Sequence, residues 1–260
     1  MLDDHDVVAG DRFAVLTGAG LSTDSGIPDY RGPGGVWTRD PQAARLSTLR
    51  DYVADPEVRR RSWQARTTHP VWTAVPNAAH RALVELEHSG RLAALLTQNI
   101  DELHRRAGSS PRLLVELHGT VWRAVCLTCG SQTAMVDELA RVVGGDLDPP
   151  CTACGGILKS ATISFGQSLD AEVLRRAVRY AASADLFLAV GSSLTVQPAA
   201  GLCDLARQSG ARLVIVNAEP TAYDHTADAV LRGRVEEVLP RLVRAVSAAR
   251  RSGTPDAERT

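Results

Sequence analysis

A chain of 260 residues that is 44% apolar can bury one sizeable core, as one α/β domain or as a large domain carrying a smaller insertion. Its 29 basic and 30 acidic residues leave a net charge of -1, which gives no electrostatic case for nucleic acid or an acidic membrane surface. No apolar run approaches the roughly 20 residues of a membrane span, and the acidic start MLDDHDVVAGDR lacks the basic residues of a secretory signal, so a cytoplasmic, reducing setting is expected.

From the N-terminus, Phe13-Ala14-Val15-Leu16 is a short apolar run that reads as a buried parallel strand. Residues 17–37, which follow it, are the most informative in the chain. Gly18 and Gly20 carry no Cβ and are expected to let the backbone turn sharply against a ligand. Ser22 is placed to cap a helix whose first N–H groups would face a pyrophosphate. A Gly-x-Gly turn alone is weak evidence. Its continuation through Asp24, Ser25, Asp29 and Arg31, broken by Gly26, Pro28 and Gly32, predicts a polar loop folded over a nucleotide. Residues 39–75 are polar, arginine-rich and interrupted by prolines, and read as a helical excursion outside the sheet.

A helix is expected over 78–89, then a strand over Leu92-Ala93-Ala94-Leu95-Leu96 that ends at Thr97. Gln98-Asn99-Ile100-Asp101 sits at that strand end, ahead of a helix-like segment at 102–107; Asp101 taken alone is a helix cap. The apolar run 113–117 ends at His118-Gly119. A histidine on the ligand-facing edge reads there as a general base near neutral pH, in preference to a structural ring. Runs at 185–190 and 212–216 lead into Gly191-Ser192-Ser193 and Asn217, with helices at 170–182, 199–208 and 235–250. The polar tail 250–260 is expected to be mobile. Strand–helix alternation of this kind predicts a doubly wound parallel sheet, with the polar residues past its strand ends forming one site.

Two Cys-x-x-Cys pairs, Cys126 with Cys129 and Cys151 with Cys154, interrupt the alternation. Each can present two thiolates to one ion, and together they complete a tetrahedral four-sulfur set that suits zinc. Four protein ligands leave no open position, so such an ion is structural. The competing readings, reduced core cysteines or a redox pair, require two such pairs to arise for packing alone. Cys203 lies in a helix-like stretch and reads as a small buried apolar residue. Lys159 is the sole lysine among the basic residues, which reads as compositional bias.

Together these pieces resemble the sirtuins, the NAD-dependent protein deacylases. The resemblance rests on Gly18-Ala19-Gly20-Leu21-Ser22 with Gly26-Ile27-Pro28-Asp29-Tyr30-Arg31, on Thr97-Gln98-Asn99-Ile100-Asp101 and on His118-Gly119. The cysteine pairs, Phe165-Gly166, Gly191-Ser192-Ser193-Leu194 and Val216-Asn217 then follow in the family's order, so that the similarity spans residues 13–244. It implies a discontinuous Rossmann-like α/β domain of residues 1–38, 76–120 and 165–249. The helical insertion 39–75 and a zinc-ribbon module at 121–164 would form a small domain.

NAD and an acylated lysine would enter opposite ends of the cleft between them. On the matching positions, Gly18, Ala19, Gly20, Ser22, Asp29, Tyr30, Arg31 and Trp37 would wrap NAD. Gln98, Asn99 and Asp101 would hold the nicotinamide and its ribose, Ser193 and Asn217 would contact the adenosine half with Glu219 and Val235 nearby, and Ile100, Gly191, Ser192 and Ala218 are further implied NAD contacts. Ile163, Phe165, Gly166, Leu194 and Val196 would border the substrate peptide, and Asn99, Asp101 and His118 form the implied catalytic set.

The implied reaction consumes NAD as a substrate and moves no hydride. The acyl oxygen attacks the ribose carbon as nicotinamide leaves, and His118 takes a proton from a ribose hydroxyl that attacks the resulting imidate. Nicotinamide, an O-acyl-ADP-ribose and the free lysine are the implied products. Acylated-lysine proteins are the implied partners, without nucleic acid or membrane; a monomer is compatible with the sequence. Two alternatives share part of the pattern. A protein mono-ADP-ribosyltransferase uses the same nicotinamide-leaving step, and a sensor of NAD or ADP-ribose would bind without turnover, making the joint presence of Asn99, Asp101 and His118 a coincidence.

The chain departs from the family pattern in places. Tyr30 stands where phenylalanine is commoner and keeps a ring. Gln167 replaces the usual acid after Phe165-Gly166, and Lys159-Ser160-Ala161-Thr162 lacks the usual proline and aspartate, both at the edge where a substrate peptide would pair as an added strand. Trp63-Gln64-Ala65-Arg66 occupies the region where some sirtuins read acidic acyl groups with a tyrosine and an arginine. Arg66 could pair with a carboxylate; the other reading is a solvated arginine on a helix.

Overall fold

The computed structural model describes residues 10–252; residues 1–9 of the acidic start and 253–260 of the tail lie outside the described residues. Strand β1 (Phe13–Thr17) is followed by two short 3-10 turns, Ala19–Leu21 and Thr23–Ser25. Helices α1 (Val36–Arg39), α2 (Leu49–Ala54) and α3 (Pro56–Thr67) carry the chain away, and α4 (Ala78–His88) returns it. Then come β2 (Leu92–Thr97), α5 (Leu103–Ala107) and β3 (Leu114–Glu116). β4 (Gly119–Cys126), β5 (Gln132–Ala134), α6 (Met135–Val143) and β6 (Leu158–Thr162) build the cysteine-bearing module. The remainder comprises α7 (Ala171–Ala182), β7 (Leu186–Val190), α8 (Leu202–Gln208), β8 (Arg212–Val216), β9 (Ala229–Leu231) and α9 (Val235–Ser252).

One sheet has the order β3-β2-β1-β7-β8-β9, with every pair parallel. Numbered within the sheet this is 3-2-1-4-5-6, the Rossmann-like order, and the winding reverses between β1 and β7. Phe13 and Val15 face a core made with Leu83 and Leu86 of α4 and Leu239 and Leu242 of α9. Ala14 and Leu16 face the other core, with Ala177, Ala181 and Ala206 of α7 and α8. A strand covered on both faces must be apolar at successive positions, which is why it shows in the sequence as an unbroken run.

The two stretches that broke the alternation pack on each other. Trp63 of α3 is wholly buried with Ala124, Cys126, Met135 and Leu158 of the module. Arg59 Nε donates to Asp148 Oδ2 at 2.8 Å across the same contact. β4 runs through the boundary expected at 120/121, and β6 and β5 pair with it antiparallel. The helix expected at 199–208 begins at Leu202, after a turn ending at Gly201. The last helix continues to Ser252, so residues 250–252 of the expected mobile tail are helical.

Candidate active site

The loops leaving β1 and β7 meet where the winding reverses. Gly18 N donates to Val190 O at 3.0 Å and Gly20 N to Gly191 O at 2.8 Å. A Cβ on Gly18 would lie 2.7 Å from Gly191 O, and one on Gly191, whose φ is +61°, would lie 2.4 Å from Leu21 N. The glycines expected to make room for a ligand therefore also let two loops close on one another.

Ser22, expected to cap a helix, stands at the N-cap position of a 3-10 turn only. The chain forms only 3-10 turns before Gly26, at φ 85°, and Pro28 end them, and Ser22 makes no side-chain cap bond. Its buried hydroxyl instead donates to Asp101 Oδ2 at 2.7 Å and accepts from Asn99 Nδ2 at 3.1 Å.

Asn99 and Asp101 are nearly buried, at 8% and 5% exposure. Burial raises the Asp101 pKa, opposed by bonds to its carboxylate from Leu103 N at 2.9 Å and Ser22. Glu102, not Asp101, holds the N-cap position of α5; one Asp101 oxygen accepts from Leu103 N and the other from Ser22. Behind them, Thr97 Oγ1 accepts from Asn99 N at 3.1 Å and from Thr17 Oγ1 at 2.8 Å, and Thr17 lies 3.0 Å from His104 Nε2. Sequence reasoning missed this buried support, since a threonine ending a strand carries no signal that its hydroxyl is engaged.

His118 lies just past β3 with Nδ1 3.0 Å from Gln98 O. A carbonyl only accepts, so Nδ1 carries the proton and Nε2 keeps the lone pair. Burial lowers the pKa below the usual 6.5, against the raising effect of the Gln98 bond. The ring is thus a neutral base at pH 7. Gln98 itself is held by its Nε2 donating to Ser192 Oγ at 3.0 Å.

All the expected NAD- and peptide-contacting residues except Leu194 line one cleft of about 1190 Å³, together with His118. That exceeds the roughly 300–1,000 Å³ typical of a pocket for one small ligand. Leu194 is corrected: 2% exposed, it packs into the core under α7 and α8 and does not reach the cleft. Trp37 stands between Tyr30 and Phe165, ring centroids 4.8 and 5.2 Å away, with Arg31 4.6 Å over its face. Phe165 is tied to the helical insertion, its N donating to Ser47 O at 2.8 Å and its carbonyl accepting from Leu49 N at 2.9 Å. Ile27, Val36, His69, Val71 and Gln197 also line the cleft; Ile27 and Val36 lie inside the stretch 17–37, whereas His69 and Val71 carry no motif.

Arg66 is not the solvated helix residue of the second reading. It borders the cleft, with Nη1 donating to Ser62 O at 2.8 Å and to Ser62 Oγ, and Nη2 to Ser160 Oγ at 3.0 Å. Its Nε is buried without a partner, and burial lowers its pKa. Trp63 is wholly buried and lies off the cleft. Cys203 is fully buried, its thiol pushed up to about 12 by that burial, as an inert core residue.

The Sγ atoms of Cys126, Cys129, Cys151 and Cys154 all lie within 4.8 Å of one another. Cys126 and Cys154 approach to 3.5 Å and Cys129 and Cys151 to 3.8 Å. Tetrahedral zinc with Zn–S bonds of about 2.3 Å sets sulfurs about 3.8 Å apart, so the donor set fits that ion. Among the described residues no helix is long and apolar enough to cross a membrane.

The Sir2 family model matches residues 18–198. The NAD-dependent protein deacetylase 2 of Streptomyces coelicolor is 54% identical over 231 residues, covering 89% of this chain and 96% of that protein. The NAD-dependent protein deacylase 2 of Pyrobaculum aerophilum is 42% identical over 242 residues, covering 93% and 94%. A solved Sir2 structure with a deacetylated p53 peptide and 3'-O-acetyl ADP-ribose superposes at a TM-score of 0.86 with 34% identity, covering 94% of this chain and 97% of that one. A Sir2 homologue in complex with ADP-ribose gives 0.87 at 34% identity, covering 98% and 100%. Motif order, sheet winding, cleft and sequence agree along most of the chain, which belongs to the Sir2 family.

Proposed function

We propose that the chain is an NAD-dependent protein-lysine deacylase. The observation that carries this reading is the His118 ring, fixed by Gln98 O so that Nε2 keeps its lone pair, on the same cleft as the buried Asn99–Ser22–Asp101 network. The relatives named as NAD-dependent deacetylases and deacylases support it. NAD supplies an activated ribose carbon whose leaving group is nicotinamide, and an acyl-lysine is the acceptor. Asn99 and Asp101 orient the nicotinamide ribose, with Ser22 holding both. His118 Nε2 takes the proton from a ribose hydroxyl. The Tyr30–Trp37–Phe165 rings shield the reacting end from water. Asn217, Glu219 and Ser193 hold the adenosine half, and the module's zinc is structural. We place the protein in the cytoplasm, with the large domain built on the parallel sheet and the small one from the module and helical insertion.

A second reading concerns the acyl group. Arg66 borders the cleft without an ion-pair partner among the described residues, which favours turnover of succinyl- or malonyl-lysine beside acetyl-lysine. One experiment addresses both: purified protein, NAD and matched acetyl and succinyl peptides, with every product read by mass. The expected products are nicotinamide, O-acyl-ADP-ribose and free lysine, with His118→Ala inactive but still binding NAD and Arg66→Ala losing succinyl turnover first. ADP-ribosylated protein in place of O-acyl-ADP-ribose identifies a transferase, and full activity of His118→Ala refutes the base assignment. Absence of succinyl turnover removes the role given to Arg66.

A further inference from the structure

We propose that Lys159 is a positioning residue for the substrate peptide: its buried ammonium fixes the turn at residues 160–167 in the shape that receives the acyl-lysine backbone. This rests on the deacylase reading above. Lys159, in β6, is 2% exposed. Its Nζ donates to Ser160 O at 2.9 Å and to Thr162 O, and lies 3.4 Å from Gln167 Oε1. Gln167 Oε1 also accepts from Ser164 N at 3.2 Å, so a single ammonium gathers acceptors on both sides of Ile163, Phe165 and Gly166.

That turn joins parts that must agree for catalysis. Ile163 N donates to His118 O at 2.9 Å, tying it to the residue assigned as base, and Phe165 N donates to Ser47 O at 2.8 Å, tying it to the helical insertion. A shift of the turn would change the peptide edge without touching the glycine loops that face NAD.

The energetics favour function over stability as the reason for this lysine. Among the described residues no ion pair joins Lys159 to a carboxylate; the amide of Gln167 stands where an acid could have neutralised it. The charge that acts on it is Arg66, of like sign, and burial first and Arg66 second bring its pKa down to about 8. A buried cation without a counter-charge opposes folding even when its protons are hydrogen-bonded, and an apolar side chain of similar length is often as stable in such a place.

The test compares wild type with Lys159→Met and Lys159→Arg by thermal melting, peptide affinity from calorimetry and steady-state kinetics with an acetyl-lysine peptide and NAD. Lys159→Met should melt no lower than wild type, weaken peptide affinity and raise peptide KM roughly tenfold, the loss typical of bonds to a charged group. Its KM for NAD should be unchanged, and Lys159→Arg should recover most of the affinity. Unchanged peptide affinity in Lys159→Met overturns the proposal; so does a lower melting point, or failure to fold, with peptide and NAD affected together, which marks a merely structural lysine. Wild-type protein that binds the peptide without turning it over, with binding weakened in Lys159→Met, refutes the deacylase reading and keeps the role of Lys159.

Discussion

In the six-stranded sheet, β1 and β7 bury every residue between helical layers, whereas the module of β4, β5 and β6 closes on a small cluster that counts Cys126 and Cys151 among its members. The sheet has apolar partners enough to hold itself. The module gathers four cysteine sulfurs within 4.8 Å, a donor set that an ion would hold together. The cleft draws on both. His118 and the Asn99–Ser22–Asp101 network stand just past the ends of sheet strands, while Thr162, Ile163, Ser164 and Phe165 bring the end of β6 and the segment after it to the same cleft.

The largest effect that separates the two should come from metal removal. Chelation, or Cys151→Ser, removes a contribution on the order of 10 kcal/mol where structural zinc is concerned. Hydrogen exchange should show amides of 121–164 and of α2 and α3 losing protection while β1, β7 and β8 keep theirs. Protection that persists in the module would mean that Trp63 and its neighbours suffice without metal.

Acid should sharpen the contrast from the other side. His80 on α4 is wholly buried, and burial, with Arg81 second, lowers its pKa to about 3; His104 on α5 is held well below 6.5, also by burial. Each stays neutral in the fold yet binds a proton when unfolded below its ordinary 6.5. The stability this gives is whole above pH 6.5 and is lost as pH falls toward 3, in total a few kcal/mol for His80. Urea unfolding followed through α4 amides should show that slope, and His80→Gln should flatten it. Identical slopes would place the acid sensitivity elsewhere.

The smallest effect belongs to the surface. Arg234 Nη2 lies 3.2 Å from Asp24 Oδ1, joining the glycine loop to the start of α9, but both side chains are solvent-accessible. Asp24→Asn should leave the midpoint of chemical unfolding almost unchanged. A clear shift would show that charge, and not packing, holds the glycine loop against the start of α9.

The same contrast explains what could be read in the sequence. The strands with two covered faces announced themselves as apolar runs, and the residues just past them fell into one cleft as the winding rule requires. β9, with its 3 residues, is too short for any periodicity, and in the module β5 is equally short, β4 has an irregular burial pattern and β6 buries the polar Lys159 and Ser160. Ser22 was misassigned because a serine before a polar turn has the chemistry of a cap; only the fold brings Asp101 across to it. Leu194 sat in a motif that faces the cleft, yet its backbone, at φ +54°, turns the side chain into the core.

Lys159 also bears on how the protein's reactions can be followed. It is the sole lysine of the sequence and is 2% exposed, so the protein presents acyl donors with no lysine amine at its surface. A deacylase of this composition is a poor substrate for itself. Acyl groups found on lysine in its reactions belong to the added target, and antibodies or mass spectra that follow them read against a blank background.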